Sequence, residues 1–279
     1  MSDGRLQATG PRWQGGLLAE GEPDAAQVED HGLEGALSPF VLTCDHASSR
    51  VPAALDGLGV APDDIQRHIG WDIGALDVAR HMARAMRGLL IHQAYSRIVI
   101  DCNRPPHVAQ AFPIRSDGTD IPGNAALTGS GAAARVAEIF HPYHAAIAAA
   151  LDARAGTPTA LLAIHSYTPH HGDFPDPRPW PVSLLFNRDS RFSEAMAAEL
   201  RARDIDVGMN QPYVVDDDGD YAIPIHAERR GIPHSLIEVR QDLIETDEGA
   251  RHWAAILTDC AAAAFAVMTH RKGAEHAQA

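Results

Sequence analysis

The strongest constraint on the fold is a repeated pattern of short apolar runs, each too short for a helix, that lead into ionisable side chains. Residues 39–44 (PFVLTC) run into Asp45 and His46, residues 97–101 carry Ile-Val-Ile and end at Asp101, residues 159–164 end at His165, and residues 233–239 contain Glu238. Apolar runs of four to eight residues bounded by turn residues read as buried strands. Further strands are expected over 89–93 and 182–186. Between them lie segments with helical patterning: one opens near Pro62, where proline suits a first turn, and others cover 73–86, 132–155, 191–202 and 248–269. This alternation predicts an α/β fold with a mainly parallel or mixed central sheet and helices on both faces. Ligands in such sheets bind beyond the carboxyl ends of the strands. His46, Asp101, His165 and Glu238 all fall at that edge, and burying several charges together is costly unless they pair or hold a metal.

The rest of the chain fills in around this pattern. Residues 1–35 are Gly-rich and acidic without periodicity, and read as a flexible extension. Residues 36–270 are expected to form a single α/β domain, and 271–279 a polar tail. Residues 104–128 are rich in Pro, Gly and Asp, a long loop of the kind that is usually functional. His141-Pro142 predicts a kink in the helix over 132–155.

The formal net charge of −14 argues against a nucleic-acid binder, which needs a basic excess. It leaves room for a small anionic substrate, because a pocket can be locally basic. No apolar run reaches the roughly 18 to 20 residues of a membrane span, and the N-terminus lacks the apolar core of a secretory signal. A cytoplasmic protein with no membrane partner is expected. The three cysteines, Cys44, Cys102 and Cys260, form neither a CxxC pair nor an even disulfide framework. Nothing in these patterns encodes an oligomeric state.

Among the 16 histidines, His46 and His165 are the natural metal ligands, since neutral imidazoles bind zinc-like ions and catalytic sites commonly use three protein ligands. The third ligand is expected to be Asp72, in Gly70-Trp71-Asp72-Ile73-Gly74. Asp45 competes for that role, and Ser48 or Ser49 could join through water. Asp72 could instead cap a helix starting near Ile73. Zinc is the default ion, although manganese, iron or cobalt suit the same mixed donors. Glu238 reads as a general base, or as a salt-bridge partner of Arg240. Arg97, Asn103 and Arg104 read as an anion site, because a guanidinium grips both oxygens of a carboxylate. Tyr213, Asp220, Tyr221 and His226 lie in the loop-rich segment before Glu238. Of these, Tyr213 is a substrate-side candidate, and His226 either stabilises an oxyanion and moves a proton or simply packs. His141, His144, His170 and His171 read as solvated loop residues. A serine hydrolase is disfavoured, because no G-x-S-x-G elbow is present.

The ordered series Asp45-His46-Ala47-Ser48, Gly70-Trp71-Asp72-Ile73-Gly74, Ser96 through Pro105 (SRIVIDCNRP), His165-Ser166-Tyr167-Thr168-Pro169 and Ile237 through Leu243 (IEVRQDL) resembles the N-formylglutamate amidohydrolase family over about residues 38–265. That family looks distantly like the zinc carboxypeptidase and aspartoacylase fold. The resemblance implies a His-based metal site on His46 and His165, a carboxylate grip by Asn103 and Arg104, and a base at Glu238. The wider group's first motif is His-x-x-Glu, whereas Ser49 stands at its fourth position here. The implied reaction is hydrolysis of N-formyl-L-glutamate to formate and L-glutamate, a step of histidine degradation. Alternatives are a deacylase or amidase for another N-acyl amino acid or small peptide, and a non-catalytic binding protein on the same fold.

Overall fold

Near-continuous burial along the central strands sets the architecture. The computed structural model describes residues 16–32, 37–173 and 176–276. Its strands are β1 (Ala26–Asp30), β2 (Phe40–Cys44), β3 (Leu89–Gln93), β4 (Arg115–Ser116), β5 (Thr119–Asp120), β6 (Ala160–Tyr167), β7 (Val182–Leu185), β8 (Val207–Met209) and β9 (His234–Arg240). Seven of them form one sheet in the order β1-β3-β2-β6-β9-β7-β8, while β4 and β5 make a separate two-stranded ribbon. The central strands β3, β2, β6 and β9 are parallel, β1 and β7 join them antiparallel, and β8 runs parallel to β7. The sheet is therefore mixed, with a parallel centre.

Successive side chains of a strand point to opposite faces, and both faces here are apolar. Leu42, Leu90, Leu162, Ile164, Ile237 and Val239 pack into a layer that includes the helices Ala75–Met86, Arg191–Arg201 and Asp247–His276. Val41, Ile91, Leu161, Ala163 and Leu236 pack into the other layer, with Tyr143, Ile147 and Leu151 of the helix His141–Asp152. Each such side chain, once buried, contributes about 1.5–3 kcal/mol.

Several elements differ from expectation. Residues 97–101 form a turn, not a strand, closed by a Val99 N–H to Ser96 carbonyl bond of 3.0 Å. Ile98, Val99 and Ile100 are buried all the same, so the apolar run reported burial correctly and secondary structure wrongly. Within the expected flexible extension, Ala26–Asp30 is an edge strand paired with β3. Only Ala26 and Val28 among its side chains are apolar, and the main-chain ladder supplies most of the pairing. Residues 1–15 and 33–35 of that extension and residue 36 lie outside the described residues, as do 277–279 of the expected tail, whose preceding residues continue the last helix to His276. The expected kink at Pro142 takes the form of a π-helical turn, Val136–Phe140, between the helices Gly129–Arg135 and His141–Asp152. A wider turn accommodates the hydrogen bond that proline cannot donate.

Within the last helix, residues 247–269 are long and apolar enough, at mean hydropathy 1.3, to cross a bilayer, although no run of the sequence looked span-like. The value comes from alanines. Trp253, Leu257, Cys260, Ala261 and Ala264 of this helix are buried in the layer shared with Ala75–Met86 and Arg191–Arg201, which is how a core helix behaves.

The Gly-Trp-Asp-Ile-Gly segment explains itself in space. A Cβ on Gly70 would stand 2.0 Å from the carbonyl oxygen of Ile65, and one on Gly74 would stand 2.1 Å from that of Ile244. Gly74 also has a φ of +78°, a region that glycine alone enters without cost. Between these two close approaches the Asp72 N–H donates to the carbonyl of His46 at 2.9 Å, so the segment is pinned against the end of β2. Gly74→Ala is expected to lower unfolding free energy by about 3 kcal/mol or more, since strain and backbone overlap add. Urea unfolding checks this, and a loss below about 1 kcal/mol would show that the segment yields easily.

Candidate metal centre and active site

Three adjacent parallel strands bring the polar residues together. His46 follows β2 by two residues, while His165 and Glu238 lie within β6 and β9, where they are register partners. Asp72 arrives from the pinned Gly70–Gly74 segment. Its side chain does not cap the following helix, whose first residue is preceded by Gly74 with no side-chain cap.

The geometry converges on one oxygen. Asp72 Oδ2 lies 3.3 Å from His46 Nδ1 and 2.9 Å from His165 Nδ1, and the ring centroids are 4.9 Å apart. The opposite nitrogens are engaged elsewhere. His46 Nε2 is 2.7 Å from Asp101 Oδ1, and His165 Nε2 is 3.2 Å from Asp45 Oδ2. Asp45 is itself held by the Tyr143 hydroxyl, which donates to Oδ1 at 2.6 Å. In the neutral tautomer that keeps the two Nε2–H bonds, both Nδ1 lone pairs face Asp72 Oδ2. Carboxylates that orient ring nitrogens in this way are the usual second layer of a metal site.

Charge points the same way. Asp45, Asp72 and Asp101 are buried, and Arg97 is the guanidinium that meets the last two, donating to Asp72 Oδ1 at 3.2 Å and Asp101 Oδ2 at 2.9 Å. Burial pushes each carboxyl up, but the imidazoles outweigh it at Asp45, and the imidazole and Arg97 together do so at Asp72 and Asp101, so all three sit below the usual range. Burial and Arg97 push His46 down, yet Asp101 and Asp72 win and its pKa is raised. Burial opposes protonation of His165 too, but its bonds to Asp45 and Asp72 raise it well above normal. Three buried carboxylates with Arg97 as the guanidinium bonded to two of them make a field that favours protons or a cation. The nearest donor atoms of His46, Asp72 and His165 all lie within 4.8 Å of one another. Bonds of about 2.1 Å in a tetrahedron put neighbouring ligand atoms roughly 3.4 Å apart, close to the spacing here. The donor set fits a divalent ion.

Glu238 is buried, and its Oε2 has no hydrogen-bond partner among the described residues. Burial raises its pKa to about 7, against the pull of His165. The alternative salt bridge is not made, because Arg240 pairs with Asp242 at 2.8 Å. Ser48 and Ser49 bond Arg50 and Gln66 respectively, and neither is in the donor set.

The remaining candidates form a second tier. Asn103 Nδ2 and Arg104 NH1 donate to Asp220 Oδ1 at 3.1 and 3.0 Å, and Arg104 also reaches the carbonyl of Gly219. Arg104 is near enough to help lower the pKa of Asp101. Tyr213 accepts from Arg178 NH1 at 3.0 Å, with that guanidinium 5.1 Å from the ring centroid. Burial raises the Tyr213 phenol, and the charge of Glu238 adds to the rise, so the ring lies within electrostatic reach of Glu238. His226 sits deeper, its Nε2 2.9 Å from His144 Nδ1, while His144 Nε2–H donates to the carbonyl of Cys102 at 2.8 Å. Burial holds His144 near 4 and His226 near 3. His144, expected to be solvated, is thus a buried neutral partner of His226.

Sequence reasoning missed Tyr143 and Arg178. Tyr143 precedes a histidine in an Ala-rich helix and looks like any core aromatic. Arg178 stands among prolines in a loop, and the only signal was an arginine in a segment stiff enough to aim it.

Comparison with known proteins gives a consistent picture. The chain superposes on the crystal structure of gene product Atu2144 from Agrobacterium tumefaciens with a TM-score of 0.85 and 32% identity, covering 91% of this chain and 99% of that one. It also matches N-formylglutamate amidohydrolase from Ralstonia eutropha JMP134, with a TM-score of 0.62 and 22% identity over 90% of this chain and all of that one. A search of curated proteins found no match. The family model of N-formylglutamate amidohydrolase matches residues 38–245, a span that takes in every metal, base and arginine candidate above. The chain belongs to the N-formylglutamate amidohydrolase family.

Proposed function

We propose that this chain is a metal-dependent amidohydrolase that cleaves N-formyl-L-glutamate, or a closely similar anionic N-acyl amino acid, to the acid and the free amino acid. The observation that supports it best is the pairing of a two-imidazole, one-carboxylate donor set with a buried carboxyl, in register with one of the imidazoles, whose Oε2 has no hydrogen-bond partner among the described residues.

His46, Asp72 and His165 would hold the ion, with zinc the default. Such an ion supplies Lewis acidity toward an amide carbonyl and a water. The other steps belong to side chains. Glu238 takes a proton from water at Oε2 as the water oxygen bonds to the acyl carbon. It then returns the proton to the nitrogen as the C–N bond breaks, giving formate and glutamate. A pKa near 7 suits both transfers, because the group neither holds nor refuses a proton at neutral pH. Arg97, Asn103 and Arg104 would grip the substrate carboxylates, and Tyr213 with Arg178 would wall the pocket beside the base. Placing the amide this way converts binding into orientation. His226 fits a proton-holding or packing role behind this surface, through His144.

Formate release from N-formyl-L-glutamate, with and without a chelator, tests the reading. Chelator-sensitive release is expected. A folded, metal-loaded protein that releases none would move the substrate to another N-acyl amino acid or to simple binding. Glu238→Gln should keep bound metal and lower kcat about 100- to 10,000-fold, and kcat/KM of the unaltered enzyme should fall as pH drops below about 7, where Glu238 becomes protonated. His165→Ala should lose metal and activity together. Arg104→Ala should raise KM roughly 10- to 100-fold, the worth of a charged hydrogen bond, with kcat much less affected. An unchanged KM would remove Arg104 from the carboxylate grip.

A further inference from the structure

Three loops meet at a second set of donor side chains outside the centre just described. His68 follows the one-turn helix Pro62–Ile65, Asp117 lies in the β4–β5 turn, and His171 lies in the loop after β6. His68 Nε2 is 3.3 Å from Asp117 Oδ2, and His171 Nδ1 is 3.4 Å from Asp117 Oδ1. The two rings meet edge-on with centroids 5.4 Å apart, and three donor atoms lie within 4.8 Å of one another. The side chains are 17%, 10% and 11% exposed, so none is a solvated loop residue. His68 Nε2 makes no hydrogen bond despite its nearness to the carboxylate. The 3.3 Å approach of His68 Nε2 to Asp117 Oδ2 without a hydrogen bond suits two atoms that share a third, because a tetrahedral zinc site separates its ligand atoms by about 3.4 Å.

We propose that His68, Asp117 and His171 form a second site for a zinc-class transition-metal ion, which fastens the loop after β6 to the β4–β5 turn at the edge of the reaction centre. Two imidazoles and a carboxylate match the ligand preference of zinc and its neighbours. Burial lowers His68 to about 4 and also lowers His171, so both rings are neutral donors at physiological pH. Burial raises the Asp117 carboxyl, but the Gly172 N–H bond leads the influences that outweigh it and leave its pKa lowered. The Arg97 N–H donates to the carbonyl of Gly70, two residues after His68, at 3.2 Å, which sets the site near the arginine that braces Asp72.

Competing contacts grade the affinity. Gly172 N–H donates to Asp117 Oδ1 at 2.6 Å, and Arg67 NH2 donates to Oδ2 at 2.9 Å. Each oxygen keeps a second lone pair, but the Arg67 charge weakens cation binding. The Asp173 N–H, 3.2 Å from His171 Nδ1, must turn aside if that nitrogen ligates. The outer site is therefore weaker than the inner one.

The test is zinc titration of chelator-stripped protein by calorimetry, repeated with Co²⁺ absorbance. The unaltered chain should take up two equivalents. The double variant His68→Gln, His171→Gln should lose the weaker one. The double variant His46→Ala, His165→Ala should keep one equivalent, and Asp117→Asn introduced into it should abolish binding, with circular dichroism confirming folding in each case. Binding of a single equivalent that the His68→Gln, His171→Gln pair leaves intact would overturn the outer site. Loss of only the stronger equivalent in the His46→Ala, His165→Ala protein bears on the inner centre alone, so the two assignments stand or fall separately.

Discussion

The site depends on one oxygen, Asp72 Oδ2, which faces two imidazole nitrogens at 3.3 and 2.9 Å and also accepts the Ser166 N–H at 3.3 Å. A carboxylate so placed is tolerable in a buried setting only because opposing positive character surrounds it. Arg97 on its other oxygen supplies part of that. The imidazoles supply the rest, as proton carriers or as ligands of a cation. The backbone is arranged to serve this atom. Two glycines let the chain pass against Ile65 and Ile244, and the Asp72 N–H ties to the His46 carbonyl, so carboxylate and first imidazole move as one unit.

The sheet then fixes what must not move. His165 and Glu238 are neighbours in a parallel ladder, and ladder register is held by every main-chain bond along the two strands. The separation between one ring and the candidate base is therefore a property of the sheet and not of side-chain rotamers alone. Burial that makes the strands stable also makes Glu238 a weak acid. The same desolvation that a core needs lifts its pKa to about 7.

Much of this was legible in the sequence, for definite reasons. The ends of β2, β6 and β9 were readable because continuous apolar runs broken by His or Glu are rare unless the polar residue has work or a partner. Asp72 was readable as a ligand candidate from its glycine-flanked motif, although its competing role as a helix cap was removed only by the left-handed Gly74. The 97–101 run misled because burial and extended structure give the same hydrophobic signal. Edge strand β1 was hidden because its side chains are half exposed, and main-chain pairing leaves no mark in side-chain pattern. The pairing of His144 with His226 and the meeting of His68 with Asp117 and His171 are contacts across 49 to 82 residues or more of chain. No local spacing rule reaches that far.

The division between sheet and loop also argues about specificity. The donor set and base rest on strand ends and a pinned turn, whereas Arg104, Asn103, Tyr213 and Arg178 are held by loop contacts to Asp220, Gly219 and one another. Chemistry at an amide carbon tolerates displacements of only fractions of an ångström, so it belongs on the rigid part. Recognition of the amino-acid portion tolerates more and can change through loop sequence without disturbing the centre. Asp220 illustrates the balance: burial raises its pKa, opposed by Arg104, and it occupies part of the Arg104 and Asn103 donor capacity. A substrate carboxylate gripped by these residues would have to share that capacity with Asp220. On the proposed reading, the loop from residue 210 to 221 would set how strongly an acidic side chain is preferred, without touching the donor set or Glu238.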